Sequence, residues 1–262
     1  MPSPTLLIAG SISVVVGISF TAVARAISRM QASGDGRTAL RGYAIWWIAL
    51  AFYLVLQGVF TVLAGFDVAI ETVYIWSRAV LIPVLCIGVW GLTSYLLYLY
   101  TGDRRVFVVV GVFYAVVALL FYWAQFSQVR PGIQVERWIV TVDDTSALYR
   151  IVYVLVGAPP IAAALAYLGL LRRVEHRVQK YRIILVASSI LAYVGSGLVA
   201  RLTAGDAAIF VTLVVFGSLA AAASLLAYYP PGRWRAWLER DPRDDHADDE
   251  RLAMEYRMLQ LI

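Results

Sequence analysis

The sequence predicts an all-α membrane protein, a seven-transmembrane helix bundle. Three observations carry this. Seven long intervals contain no Asp, Glu, Lys or Arg: 2–24, 42–66, 79–102, 106–129, 151–171, 183–200 and 207–232. The chain is 61% hydrophobic and 15% charged, with a mean hydropathy of +0.75, whereas soluble domains run at about 45–50% apolar and about 25% charged. A hydrocarbon core about 30 Å thick needs roughly 20 apolar residues per helix. Each interval meets that need, the 183–200 span starting at Tyr181. Short loops leave no room for a soluble domain in 262 residues.

Helix 1 is expected over 4–27; no basic flank or cleavage site marks it as a signal peptide. Ser33-Gly34-Asp35-Gly36 makes a turn before helix 2, over 41–65 and ending at Gly65. Helix 3 begins between Asp67 and Thr72 and runs to Tyr100; Thr101-Gly102-Asp103 turns the chain into helix 4, over 104–126. In loop 127–146, Ile133, Val135 and Ile139 alternate with Gln134, Glu136 and Trp138, after Pro131-Gly132. That pattern fits a short strand or hairpin over the outer face. Helices 5, 6 and 7 follow over 146–173, 178–202 and 206–229, and Pro230-Pro231-Gly232 stops the last. Small residues (Ser188, Ala192, Ser196 and Ala200 on helix 6; Gly217 to Ser224 on helix 7) predict close packing of these two helices.

The organisation is thus a bundle over 1–229, a short interfacial helix over 230–240 and an acidic cytoplasmic tail over 241–262. Trp234, Trp237 and Leu238 share one face of the interfacial helix, flanked by arginines. The tail is acidic and disordered over 241–250, with a final helix over 250–262. Segments 25–41, 101–105, 172–182 and the tail from 229 carry 17 of the 22 basic residues. This places the N-terminus outside and the C-terminus inside. The net charge of +5 then belongs to the inner face, where it meets anionic membrane lipids. No aromatic-basic cluster points to nucleic acid.

Ionisable groups inside membrane spans are the usual pointers to function. Arg78 stands out, on one helical face with Glu71 and Tyr74 and just before Pro83, which frees the carbonyl of Ala79 and kinks helix 3. Arg78, Glu71, Tyr74 and Arg150 are the candidate polar lining of a ligand pocket, against the alternative of an architectural clasp or a snorkelling arginine. Tyr53, Gln57 and Thr61 share a face of helix 2, and the mid-membrane Gln57 amide needs partners, either in inter-helix hydrogen bonds or as part of the polar lining of a ligand cavity. Pro159 and Pro160 free carbonyls in helix 5 that nearby hydroxyls must satisfy. Trp90 and Tyr95 lie deep on helix 3 and line a pocket or pack the core. Cys86 reads as a buried apolar residue.

Catalysis finds no motif. His176 and His246 both lie outside the spans, so no pair of histidines brackets a haem within the membrane. No metal-ligand set is expected, and the aspartates of 241–249 read as a solvated tail. The spans hold no carboxylate to relay protons. The expectation is therefore no enzyme and no cofactor; a lipid or carotenoid held non-covalently stays open.

Helix count and orientation resemble the microbial rhodopsins. That family's retinal is a Schiff base on a helix 7 lysine, and the only lysine here, Lys180, precedes helix 6. Helix 3 also offers no counter-ion carboxylate in its charge-free core. The chain resembles more the seven-helix sensor region of some prokaryotic histidine kinases. Gly42-Tyr43-Ala44-Ile45-Trp46-Trp47, the Arg-rich 172–182 loop and the Pro-Pro-Gly-Arg-Trp exit at 230–234 carry that likeness. It implies a stand-alone receptor- or sensor-like protein of a prokaryotic cytoplasmic membrane, and the candidate residues set its expected outward-facing small-molecule pocket between helices 2, 3 and 5. It also implies a cytoplasmic or membrane signalling partner. The alternatives are a small transporter or channel, and a structural subunit of a membrane complex.

Overall fold

A computed structural model describes residues 3–30, 35–127, 133–142, 147–203 and 206–238. It contains seven helices long and apolar enough to cross a membrane. Six are continuous: α1 (Pro4–Ser28), α2 (Asp35–Gly65), α3 (Glu71–Thr101), α4 (Arg105–Phe126), α5 (Ala147–Gly169) and α6 (Arg177–Thr203). The seventh span is composite, with α7 (Asp206–Val211), a π-helical stretch Thr212–Phe216 and α8 (Gly217–Tyr228). A short α9 (Gly232–Leu238) follows. Proline suits the first turn of α1, because its missing N–H has no helical acceptor there. Gly102, at φ 69°, closes α3 in the left-handed conformation and returns its N–H to the Tyr98 carbonyl.

Helix α2 begins earlier than its apolar stretch suggests, because its charged first turns continue the helix past the hydrophobic residues. Helix α5 ends earlier, at Gly169, and Leu170–Arg172 tightens into a 3₁₀ turn. The expected tail features beyond residue 238, including the acidic stretch and a last helix, lie outside the described residues.

A hairpin crosses one end of the bundle. Strands β1 (Ile133–Val135) and β2 (Val140–Val142) pair antiparallel, with Ile133 opposite Val142 and Val135 opposite Val140. Ile139 and Val140 are both buried, although they are adjacent in sequence. They reach different neighbours: Val140 packs among Phe60, Ile70 and Tyr74, and Ile139 against Ala200 and Ile209. Trp138 stacks on Phe210, with centroids 5.7 Å apart.

Helix α3 is central and α4 peripheral, with 61% and 22% of their most apolar windows buried. The closest helix contacts join α1 to α2 and α2 to α3. A Cβ on Gly91 would lie 2.4 Å from the Gly42 carbonyl oxygen, and one on Gly10 would lie 2.6 Å from that of Gly58. The sixth and seventh spans are neighbours, as the small residues predict, but the geometry differs. Ser188 and Ala192 face away from the bundle, and α6 turns Ile183, Val186, Ala187 and Ile190 inward. Apolar lipid and apolar protein look alike to a helix surface, so the small-residue stripe does not determine which way it turns.

Two proline-freed carbonyls receive tyrosine hydroxyls from α4. Tyr122 donates to the Ala79 carbonyl, left open by Pro83 in α3. Tyr114 donates to the Val156 carbonyl, left open by Pro160 in α5, at 3.3 Å. Tyr122→Phe is expected to cost about 1–3 kcal/mol, the penalty for a buried acceptor left without a donor. Unfolding of the purified protein by graded SDS measures it.

Candidate functional site

A cavity of about 160 Å³ lies inside the bundle, walled by all helices from α2 to α6 and by the seventh span. Helix α2 supplies Trp46, Leu50 and Tyr53, and α3 supplies Arg78, Leu85 and Val89. Phe121 comes from α4, Tyr153, Val156, Gly157 and Pro160 from α5, and Tyr193, Val194, Gly197, Leu198 and Arg201 from α6. Thr212 and Leu213 of the π-helical stretch complete the wall. Such π segments widen a helix locally and are frequent at functional sites.

The cavity is polar at one end. At roughly 1.5 Å per residue, α3 climbs about 16 Å from Arg78 to Val89. Arg78 and Arg201 lie toward the hairpin; Trp46, Val89 and Tyr193 lie toward the far end. Arg78 is only 7% exposed. Its Nε donates to Gln125 Oε1 at 3.2 Å, and its Cζ stands 6.0 Å from the Phe121 ring centroid. Gln125 Oε1 also accepts the Tyr149 hydroxyl at 2.7 Å, which fixes the amide with its oxygen toward the guanidinium. The amide nitrogen then has no acceptor among the described residues. The electrostatic neighbours of Arg78 are Tyr74, Tyr153, Tyr53 and Arg201, none of them a carboxylate. Arg201 donates from Nη2 to Tyr53 Oη at 3.2 Å and lies 5.4 Å over the Tyr153 ring.

Of the residues singled out in the sequence, the cavity takes in Arg78, Tyr53 and Pro160. Glu71 and Arg150 are exposed and do not line it. Gln57 and Tyr74 serve the hairpin instead. Gln57 Nε2 donates to the Val140 carbonyl at 2.5 Å, and the Tyr74 hydroxyl lies 3.0 Å from the same oxygen and 3.1 Å from Gln57 Oε1. Thr61 turns its hydroxyl back onto the Gln57 carbonyl at 2.8 Å. Trp90 belongs to the other end, where its indole N–H donates to the Phe107 carbonyl at 2.8 Å. Pro159 is a neighbour of the cavity wall but not part of it. Arg201, Phe121, Trp46 and Tyr193 enter the site without having been singled out as ligand residues; Arg201 stands in the sequence as the lone charge closing the 183–200 interval.

Beyond Trp46, Val89 and Tyr193, tyrosines pack against one another in the bundle. Tyr43 stacks on Tyr95 at 4.6 Å and meets Ser224 Oγ at 2.5 Å; Tyr95 and Tyr228 share a hydroxyl contact. Arg182 stands over Tyr228 and donates to the Ala227 carbonyl at 3.2 Å. Helix α9 docks beside this end, with Trp234 edge-on to Tyr181 and Leu238 buried. Comparison with known proteins finds no matching family model and no matching curated sequence.

Proposed function

We propose that this chain is a non-enzymatic, receptor- or sensor-like membrane protein that binds a small molecule in the cavity beside Arg78. One observation carries the reading: a buried guanidinium opens onto an apolar cavity with no carboxylate to compensate it among the described residues. Leaving a charge in that state costs several kcal/mol, and charged groups inside membrane bundles concentrate where ligands or ions bind. The tyrosines packed together around Tyr43 and Tyr95 favour a receptor over a transporter or channel. A polar path would have to pass Gln57, and its amide is held by the hairpin.

The test is to fill the space. Gly157 lines the cavity, and a Cβ there would meet Leu198 atoms at an ordinary 3.5 Å. Gly157→Leu is expected to stabilise the protein by about 0.5–2 kcal/mol, as cavity filling commonly does, and to abolish saturable small-molecule binding. Binding unchanged in this variant would sink the proposal.

The orientation that accompanies this reading has the N-terminus and the hairpin outside and α9 on the inner face of a prokaryotic cytoplasmic membrane, where a signalling partner would meet it. Arg150 is exposed near the hairpin end, and Cys86, the single cysteine, is buried. Arg150→Cys is therefore expected to react with a membrane-impermeant maleimide added to intact cells, while the parent protein stays unlabelled. Labelling only after lysis would reverse the orientation.

A further inference from the structure

We infer that the cavity's ligand is a compact organic monoanion, a carboxylate on a flat apolar body about one ring in size, with Arg78 holding the carboxylate. This rests on the ligand-binding reading above and deepens it. The charge follows from the donors. Arg78 presents a five-donor fork; Gln125 Oε1 takes its Nε and the Tyr74 hydroxyl lies beside the guanidinium, which leaves donors over. Behind it, the Gln125 amide nitrogen is a second buried donor with no acceptor among the described residues. Among the described residues the buried donors of Arg78 and Gln125 outnumber their acceptors, and none of the electrostatic neighbours of Arg78 is a carboxylate; an anion fills that deficit.

A carboxylate fits better than a phosphate. It pairs with guanidinium as a planar, two-point contact, and it carries one charge into walls that are otherwise rings and aliphatic chains. The size follows from the volume: an apolar cavity of about 150 Å³ is enough for benzene, and this one is about 160 Å³. The shape follows from Trp46, Phe121, Tyr153 and Tyr193, whose rings offer flat faces around the space.

Three probes of one shape test it: benzoate, neutral benzamide and cationic benzamidinium, titrated into the purified full-length protein and followed by ligand-observed NMR. Gly157→Leu supplies the reference for partition into detergent. Benzoate is expected to bind saturably and at least tenfold more tightly than benzamide, with no binding of benzamidinium. Arg78→Gln is expected to erase the preference for benzoate, and Arg78→Lys to keep much of it. Benzamide binding as tightly as benzoate overturns the anion assignment and leaves the cavity reading standing. Benzoate preference unchanged in Arg78→Gln overturns the role of Arg78. Absence of saturable benzoate binding to the parent protein overturns the inference, and saturation by all three probes that Gly157→Leu leaves unchanged overturns the cavity reading as well.

Discussion

Gly91→Leu is expected to keep the bundle from assembling. Even the first added carbon meets main chain, with a Cβ 2.4 Å from the Gly42 carbonyl oxygen and 3.2 Å from its carbon. Main chain cannot rotate away as a flexible side chain can, so α2 and α3 must separate. Overpacking a tight core costs about 1–3 kcal/mol, and two crossing backbones with no rotamer to adjust belong at or above the top of that range. The consequence reaches the site, because α2 and α3 at that spacing hold Trp46 and Tyr53 opposite Arg78 and Val89 across the cavity. The expected result is loss of the monodisperse peak in size exclusion, with Gly91→Ala folded but less stable by about 1–3 kcal/mol. Gly195→Ala is the control, since nothing lies within 4 Å of a Cβ there. It is expected to stay within about 0.5 kcal/mol of the parent. Equal stability of the two alanine variants would contradict the close-contact account of α2 and α3.

The spans were legible in the sequence because a charge in hydrocarbon is costly, so charge-free intervals report membrane crossing directly. The prolines were legible too. Pro83 and Pro160 each remove an N–H, and the tyrosine hydroxyls that repair the loss sit on α4, where Tyr114 and Tyr122 stand in the sequence. Arg78 announced itself as a charge inside an apolar region. The rotation of each helix about its own axis was not legible. In a soluble protein the polar face marks the outside; here lipid and core are equally apolar, so Phe121 and Tyr193, which line the cavity, read no differently from Phe113 and Trp123 near the outer surface. Gln57 shows a second limit. Its need for partners was readable, but its partner is the carbonyl of Val140 on a hairpin 83 residues away. Main-chain groups carry no sequence signal, and so a residue that secures the hairpin looked like part of a pocket.

Arg78→Met is expected to make the unliganded protein more stable while ending benzoate binding. Two accounts of Arg78 give opposite signs here. As an architectural clasp, Arg78 would hold partners together, and its removal would cost about 3–5 kcal/mol, the usual loss when a buried pair is broken. Its surroundings argue against that. Gln125 Oε1 keeps the Tyr149 hydroxyl at 2.7 Å after the guanidinium is gone, and the Tyr74 hydroxyl keeps its contacts with Gln57 Oε1 and the Val140 carbonyl. The contact with Phe121, at 6.0 Å, is worth about 0.5–2 kcal/mol. Against it stand the desolvation of a cation that is 7% exposed and its repulsion from Arg201. Methionine fills similar volume and adapts its shape to the wall. Replacing buried charge with well-packed apolar side chains gains about 1–4 kcal/mol in other proteins, so a net gain of up to about 3 kcal/mol is expected after the Phe121 contact is lost. Graded SDS unfolding without ligand reads the sign. A loss of 3 kcal/mol or more would make Arg78 a clasp, whereas a gain accompanied by lost binding places it among residues kept at the expense of stability, because a ligand needs the charge.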